Sequence, residues 1–109
     1  MISWPDFEKV EMCVGTIIQV DDFPKAKNPA YKLTIDFGPL GIKKSSAQIT
    51  KLYQKESLIG KQIIAVVNFP PKQIADFMSE CLVLGAVGDD KEVTLLTPNL
   101  PVSNGLRIG

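Results

Sequence analysis

The segment NFPPKQIADFMSECLVLG, residues 68–85, decides the fold because it separates two apolar runs of the chain. Residues 63–69 form the run that leads into it, and residues 81–84 form the run that ends it. Pro70 and Pro71 fix the backbone φ angle and remove two hydrogen-bond donors, so no central strand continues through them. The pattern therefore predicts two buried strands joined by a structured loop.

This loop mixes apolar side chains with a lysine, a composition typical of a binding surface in a small β domain. It contains Lys72, Ile74, Phe77 and Met78, and Ser79 follows where the next strand begins. The alternative is that the apolar residues close one end of the core. That alternative is favoured for Ile74 and Phe77, and both interpretations stay open for Met78.

The length and the charge balance of the chain indicate a small single-domain protein that is not a strong, non-specific binder of polyanions. A chain of 109 residues predicts one domain, residues 1–109, and 45% apolar residues allow a buried core. Twelve basic residues balance twelve acidic ones, histidine is absent, and Arg107 is the sole arginine. Neutrality disfavours strong non-specific binding to polyanions, which needs a local excess of lysine and arginine, but it permits a basic patch on one face.

The two cysteines and the start of the chain predict a cytoplasmic protein with reduced, buried thiols, and a disulfide between them is the less favoured alternative. Cys13 and Cys81 are far apart, and neither lies in a CxxC motif or near a histidine, so no metal site is expected. The first ten residues lack the basic and apolar regions of a signal peptide. No apolar run approaches the length of a membrane span, so membrane insertion is not expected.

Two segments alternate with the period of a β-strand. Residues 10–20 do so over a long stretch with Gly15 near the centre, where glycine is costly unless the strand bends. A long first strand with a central glycine suits a small barrel, in which one strand serves two sheets. Residues 31–37 predict a second strand, whose inward side chains are Tyr31, Leu33, Ile35 and Phe37.

A polar third strand is predicted at residues 42–48, IKKSSAQ, which has few apolar side chains to bury. Its polar residues suit phosphates, sugars or backbone carbonyls, and they are Lys43, Lys44, Ser45, Ser46 and Gln48. The pattern indicates a working surface on this strand. The alternative is a solvated edge strand whose lysines prevent further strand pairing.

Two short helices are predicted. Residues 3–6 begin a helical turn that Ser3 caps. Residues 50–58 predict a helix that Thr50 caps and Gly60 ends.

The remaining strands complete an all-β layout. They are predicted at residues 62–69, 81–87 and 93–97, and an extended tail follows with a tight turn at Asn104 and Gly105. A helix between the third and fourth of five strands is the layout of the OB-fold, a small five-stranded barrel. The short N-terminal helical turn and the C-terminal extension are additions to that barrel.

Large apolar side chains near both ends of the chain need cover. Trp4 and Phe7 either plug one end of the core or contact a second subunit. The tail carries four more such side chains, and a second subunit would supply their surface in a chain this short. The candidate dimer contacts are Trp4, Phe7, Leu100, Val102, Leu106 and Ile108.

Reactive chemistry has no support in the sequence. The absence of histidine excludes Ser/His and Cys/His nucleophile systems, and no Walker, GxGxxG or HExxH motif is present. The carboxylates occur mostly in turns, so no acid–base pair can be assigned. We therefore expect a binding protein and not an enzyme, with no cofactor, no metal and no small-molecule substrate.

Several motifs in order resemble the tRNA-binding-domain family, which includes free-standing OB-fold proteins and the C-terminal appendix of some methionyl-tRNA synthetases. They are DFEKVEMCVGTI (6–17), KLTIDFG (32–38), KKSSAQIT (43–50), LIGKQIIAVVNFPPKQIA (58–75) and SECLVLG (79–85). The SSAQIT and VVNFPP stretches are most similar to the CsaA branch of export-related chaperones. The resemblance covers nearly the whole chain, including its PVSNGLRIG ending.

The resemblance implies an OB barrel, a homodimer joined through the terminal segments, and binding of tRNA or structured RNA. For the CsaA branch it also implies binding of unfolded preproteins. Carried over by motif, the nucleic-acid surface comprises Lys43, Lys44, Ser45, Ser46, Gln48, Asn68, Lys72 and Ser79, with Arg107 in the family's closing pattern. The corresponding peptide cleft comprises Phe69, Pro70, Ile74, Phe77 and Met78.

Two functions follow as hypotheses. The first is an RNA binder that uses the polar third strand together with Lys72. The second is a chaperone that holds an extended apolar peptide at the loop, and one groove with lysines at its rim would accept either ligand. The alternatives are a dedicated tRNA-binding protein or trans-acting synthetase cofactor without a chaperone role, and a dimeric scaffold.

Overall fold

A five-stranded antiparallel sheet curls into a nearly closed barrel in the computed structural model, which describes residues 1–109. Two short α-helices are present, α1 (Trp4–Glu8) and α2 (Lys55–Leu58). The nine strands, in chain order, are β1 (Met12–Asp22), β2 (Tyr31–Asp36), β3 (Ile42–Ala47), β4 (Gln62–Val66), β5 (Lys72–Ile74), β6 (Phe77–Ser79), β7 (Leu82–Val83), β8 (Gly85–Val87) and β9 (Val93–Leu95). The barrel has the strand order β3-β2-β1-β4-β7, while β5–β6 and β8–β9 form separate hairpins. Because α2 lies between β3 and β4, the predicted OB-fold layout is confirmed.

The alternation of β2 fills the interior of the barrel. Leu33, Ile35 and the adjoining Phe37 are fully buried, and the residues between them face outward, as predicted. Other fully buried side chains come from β1, α2 and β4, and they include Ile17, Leu58 and Ile63. Burial of each such side chain contributes about 1.5–3 kcal/mol, so these positions form the main stabilising contacts of the fold.

The long strand β1 serves two neighbours. Its first part pairs with β4 and its second part with β2, and the two pairings overlap at Thr16. A Cβ atom on the preceding residue, Gly15, would lie 2.6 Å from Ile35 Cγ2 and 2.7 Å from the Phe37 ring. The glycine therefore lets β1 approach the buried side chains of β2 more closely than any other residue could.

A β-bulge interrupts the predicted alternation of β1. The pairing with β2 shifts between Ile17 and Gln19, which leaves Ile18 43% exposed. The strand also begins at Met12, two residues later than predicted. Bulges commonly bend a strand and increase its twist at the rims of barrels, where one strand passes between two neighbours.

Hydrogen bonds between β3 and the residues before β7 close the barrel. The backbone N–H of Glu80 donates to the Lys44 carbonyl oxygen at 2.7 Å, and the Lys44 N–H donates to Glu80 Oε1 at 2.9 Å. Deeper in the barrel, the Ser45 hydroxyl donates to the Cys81 carbonyl oxygen at 2.8 Å. These contacts satisfy polar groups of two strand edges that would otherwise remain open.

The helix predicted at residues 50–58 is shorter than expected, because α2 comprises only its last four residues. Tertiary hydrogen bonds hold Tyr53 outside the helix: its carbonyl accepts from the Tyr31 hydroxyl at 2.8 Å, and its own hydroxyl accepts from the Leu95 N–H at 3.0 Å. Thr50 therefore precedes the helix by a full turn and does not cap it. Neither helix is long and apolar enough to cross a membrane.

The loop predicted after Pro71 is instead a β-hairpin, β5–β6, with three residues in each strand. Two other strand predictions need correction at their ends. The strand predicted at residues 62–69 stops at Val66. The one predicted at residues 81–87 divides into β7, which pairs with β4, and β8, which turns away to pair with β9.

Both ends of the chain pack along the start of β1. The predicted Ser3 cap is confirmed, because its hydroxyl accepts from the Asp6 N–H at 3.3 Å and its N–H donates to the Asp6 carboxylate at 3.0 Å. The tail runs beside β1 after the predicted turn at Asn104 and Gly105, and the Val14 N–H donates to the Leu106 carbonyl at 2.9 Å. The tail thus covers the edge of β1 that β2 leaves open.

Candidate functional site

Alternate residues of β3 point to opposite sides of the barrel wall. Lys44 and Ser46 point outward, and Gln48 continues this alternation just beyond the strand. The register pairs Lys44 with Thr34 and Ser46 with Lys32 on β2. We call these five side chains the outer face, which is polar and carries two lysines.

The other two predicted polar residues of β3 lie on its inner side. Ser45 is fully buried and its hydroxyl is bonded to Cys81, which corrects its prediction as a surface contact for nucleic acid. The buried hydroxyl joins two strands and is not free to meet a ligand. Lys43 shares the register position of the buried Ile35 and is half-buried, so it does not belong to the outer face.

The β5–β6 hairpin is held against the barrel by contacts with the segment after β1. The rings of Phe77 and the buried Phe23 meet edge to face with centroids 5.4 Å apart. Lys32 Nζ lies 5.5 Å from the Phe23 centroid and 5.9 Å from the Phe77 centroid, a cation–π arrangement. At the hairpin turn, Lys25 Nζ lies 3.1 Å from Asp76 Oδ2, and this hydrogen bond lowers the pKa of the Asp76 carboxyl.

A groove of about 560 Å³ lies between this hairpin, β3 and β7. We call it the hairpin groove, and its lining residues are Ser46, Phe69, Pro70, Pro71, Lys72, Ile74, Ser79, Cys81 and Leu82. The Ser46 N–H donates to Ser79 Oγ at 3.2 Å, which joins the hairpin to β3 along the groove floor. The groove therefore has an apolar wall beside one lysine and two hydroxyl groups.

The hairpin groove brings together parts of both predicted sites. It contains Ser46, Lys72 and Ser79 from the nucleic-acid set, and Phe69, Pro70 and Ile74 from the peptide set. Two members of the peptide set lie elsewhere. Phe77 packs on Phe23, in agreement with the interpretation favoured above, and Met78 is 48% exposed without lining the groove.

Asn68 and Arg107 lie at the junction of α1 and β1, and neither lines the hairpin groove. The Asn68 amide accepts from the Glu11 N–H at 3.0 Å and donates to the Lys9 carbonyl at 2.7 Å. Arg107 Nη2 donates to the Glu8 carbonyl at 2.6 Å, and its Nη1 lies 3.9 Å from Glu11 Oε1. Both side chains are engaged in holding the chain ends to the barrel, away from the hairpin groove, and their assignment to the nucleic-acid surface stays a prediction.

Five residues of this region were not predicted as site residues, and Thr34 of the outer face is one of them. Lys32 belongs to the outer face, and its outward position in the alternation of β2, beside a polar strand, was an available signal. Pro71, Cys81 and Leu82 line the hairpin groove. Burial raises the pKa of the Cys81 thiol to about 11, so this thiol is neutral near pH 7 and presents an apolar surface.

The chemistry of the region is that of a binding surface. The side chains of Lys43, Lys44 and Lys72 make no ion pair within the chain, whereas Lys25, Lys55 and Arg107 each face a carboxylate. No group of three or more Cys, Asp and Glu side chains is arranged to hold a metal ion. The free ammonium groups and hydroxyls can bind an anion or a backbone carbonyl.

Comparison with known proteins relates the chain to one family and two solved chaperones. A family model described as "Putative tRNA binding domain" matches residues 12–107. The structure of the chaperone CsaA from Bacillus anthracis str. Ames matches with a TM-score of 0.96 and 51% identity, covering 100% of this chain and 99% of that one. The CsaA chaperone protein from Picrophilus torridus matches with a TM-score of 0.94 and 56% identity, covering 100% of both chains.

A curated relative extends the similarity to a synthetase. The methionine–tRNA ligase of Nanoarchaeum equitans is 40% identical over 110 residues, which cover 99% of this chain and 14% of that protein. The chain thus spans about one seventh of the length of the curated relatives that it matches. The similarity concerns one domain of those enzymes.

The neighbouring residues Ser45 and Ser46 provide a matched pair for a stability measurement. Ser45→Ala should lower the free energy of unfolding by about 1–3 kcal/mol, because the buried Cys81 carbonyl loses the shorter of its two hydrogen bonds and keeps only the one at 3.4 Å from the Ser79 hydroxyl. Ser46→Ala should change it by less than about 0.5 kcal/mol, since the Ser46 hydroxyl makes no bond within the chain. Urea unfolding of both variants tests this, and equal effects would contradict the assignment of Ser45 to barrel closure.

Proposed function

Because the chain belongs to the tRNA-binding-domain family, we propose that it is a non-enzymatic protein that binds tRNA or structured RNA and also holds unfolded preproteins as an export-related chaperone. The proposal includes a homodimer joined through the terminal segments. It also includes a cytoplasmic location, which suits the two free thiols of Cys13 and Cys81. A tRNA-binding protein or synthetase cofactor without a chaperone role is the second candidate, favoured by the similarity to methionine–tRNA ligases.

The observation that carries the RNA role is the convergence of polar donors from separate strands, among which the two lysines make no ion pair within the chain. Lys44 and Ser46 project from the outer face, and Lys72 and Ser79 lie across the hairpin groove from them. Lysine and serine side chains are common partners of the phosphate backbone. Since the net charge of the chain is zero, binding depends on this local arrangement, and a dimer would double the number of phosphate contacts.

A salt titration of tRNA binding tests the RNA role. We expect the affinity of the protein to fall as salt rises, because counterions compete for the phosphates. The Lys44→Gln/Lys72→Gln variant should reduce the slope of log affinity against log salt by about one for each lysine. Lys9→Gln/Lys61→Gln removes the same charge from exposed sites outside the groove and should keep the slope. A flat titration, or no binding at low salt, would contradict the role.

The apolar wall of the hairpin groove supports the chaperone role. Phe69 is 54% exposed and Leu82 is 48% exposed, although both are large apolar side chains. Together with Pro70, Pro71 and Ile74 they offer an open surface to an apolar side chain of an extended peptide. The hydroxyls of the groove floor can bond to the backbone of such a peptide.

Two variants that each replace an exposed apolar side chain by a carboxylate test whether the groove holds peptides. Phe69→Asp should abolish the suppression of aggregation of a chemically denatured client, measured by light scattering, because a carboxylate would stand in the apolar wall. Met78→Asp changes a side chain of similar exposure that does not line the groove, and it should leave the suppression intact. Full activity in Phe69→Asp would rule out this groove, and loss in both variants would extend the peptide site beyond the groove to the exposed side chain of Met78.

Exposed apolar side chains at the chain ends support the homodimer. Trp4 is 80% exposed, Leu100 69% and Leu106 50%. A cavity of about 650 Å³ lies where α1 meets the end of the tail, between Trp4, Phe7 and Gly109. Exposed apolar surface of this kind marks an interface in small proteins, and covering it in a symmetric pair would remove it from water.

Sedimentation analysis tests the dimer. The unaltered protein should sediment at about twice the monomer mass of 11.9 kDa. Trp4→Asp/Leu106→Asp should sediment as a monomer, because each carboxylate would lose water on burial in the interface. Leu52→Asp changes a side chain of 47% exposure outside the terminal segments and should stay dimeric. A monomeric unaltered protein at micromolar concentration would refute the dimer.

A further inference from the structure

A second cavity, of about 220 Å³, lies beyond the end of β3. We call it the polar cavity, and it is lined by Asn28, Pro29, Gln48, Thr50, Lys51 and Lys91. Five of these six side chains can donate a hydrogen bond, and two of them are cations. No carboxylate lines the cavity, so its chemistry favours a ligand that is an anion.

The donors of the polar cavity are uncommitted within the chain. The side chains of Asn28, Gln48, Thr50 and Lys91 make no hydrogen bond or ion pair with the rest of the protein. Lys51 donates only to the backbone carbonyl of Asp90, an acceptor that leaves its positive charge unbalanced. By contrast, Lys25, Lys55 and Arg107 face carboxylates elsewhere.

Three separate parts of the chain build the cavity. Asn28 precedes β2, Gln48 and Lys51 follow β3, and Lys91 lies in the turn before β9. The bond from Lys51 to the Asp90 carbonyl links the second part to the third and limits the freedom of the lysine. A cation that is already held in position loses less entropy when it binds a ligand.

The polar cavity continues the outer face. Gln48 is the next outward position after Lys44 and Ser46, so a ligand that follows β3 passes from one region to the other. The distance from Ser46 to Thr50 is about 13 Å for extended chain, which a polymer with repeated anionic groups can span. The hairpin groove includes Ser46 but none of the residues of the polar cavity.

We propose that the polar cavity is a subsite for a backbone phosphate of bound RNA, separate from the site that holds peptide. This inference rests on the proposed RNA role and assigns Asn28, Gln48, Thr50, Lys51 and Lys91 to it. The cavity has no hydrophobic side chain in its lining apart from Pro29, and its amides, hydroxyl and lysines are the usual partners of phosphate oxygens. The protein therefore binds RNA over a longer path than the hairpin groove and holds peptide at one end of that path.

The test compares three double variants of the full chain in tRNA binding at several salt concentrations. Lys51→Gln/Lys91→Gln should weaken binding about tenfold at moderate salt and reduce the salt slope by about two, one for each lost phosphate contact. Lys51→Arg/Lys91→Arg keeps both charges and should bind nearly as well as the unaltered protein. Lys9→Gln/Lys61→Gln is the control for loss of charge alone and should change neither quantity.

The suppression of client aggregation is measured on the same proteins, and we expect it to be unchanged in all three. If the unaltered protein binds tRNA and Lys51→Gln/Lys91→Gln binds with the same affinity and slope as the control, the phosphate subsite is overturned while the RNA role survives. If that variant loses the suppression of aggregation, the cavity serves peptide and the inference is likewise overturned. If the unaltered protein does not bind tRNA, the proposed RNA role itself fails.

Discussion

The bond between the Ser45 hydroxyl and the Cys81 carbonyl, inside the barrel wall, is the constraint on which the rest of the structure depends. It fixes β3 against the residues that lead into β7. Two further bonds, between Lys44 and Glu80, join the same two segments on the outside, and we call this junction of residues 44–45 with residues 80–81 the seam. The β5–β6 hairpin emerges immediately before this seam. Its position over the outside of β3, and therefore the shape of the hairpin groove, follows from where the barrel closes.

The seam also explains how a neutral protein concentrates donors on one side. A strand has two faces, and on the inner face of β3 the Ser45 hydroxyl is used in closing the barrel, so the residues that remain on the outer face alternate along the strand. Lys44, Ser46 and Gln48 share the outer side with Lys32. The carboxylates nearest to the hairpin are occupied, since Asp76 pairs with Lys25 and Glu80 accepts from the backbone of β3. The local arrangement of these side chains, and not the net charge of the chain, therefore gives this side of the protein its excess of donors.

The sequence predicted the barrel well, because β2 alternates cleanly and Gly15 marks the bend of β1. It did not predict the β5–β6 hairpin, whose three-residue strands are too short for periodicity and are held by the distant Phe23 and Lys25. The length of α2 was missed for the same reason, since Tyr53 is engaged by residues far along the chain. The sequence does contain a signal for the inward position of Ser45, because Ser45 alternates with the apolar residues Ala47 and Ile49, which are also buried. It contains no signal for the hydrogen bonds of Asn68 to Lys9 and Glu11, because nearly sixty residues separate the partners.

The ion pair at the hairpin turn makes the position of the turn depend on the ionic strength of the solution. Lys25 and Asp76 are both exposed, so added ions weaken their attraction, as they weaken any attraction to phosphates. The contact between the Phe23 and Phe77 rings does not weaken in this way, and strongly hydrated ions strengthen it. A rise in ionic strength would therefore loosen the tip of the hairpin. Under the proposed function it would also release RNA while leaving the binding of apolar peptides intact, so salt alone would change which ligand the molecule prefers.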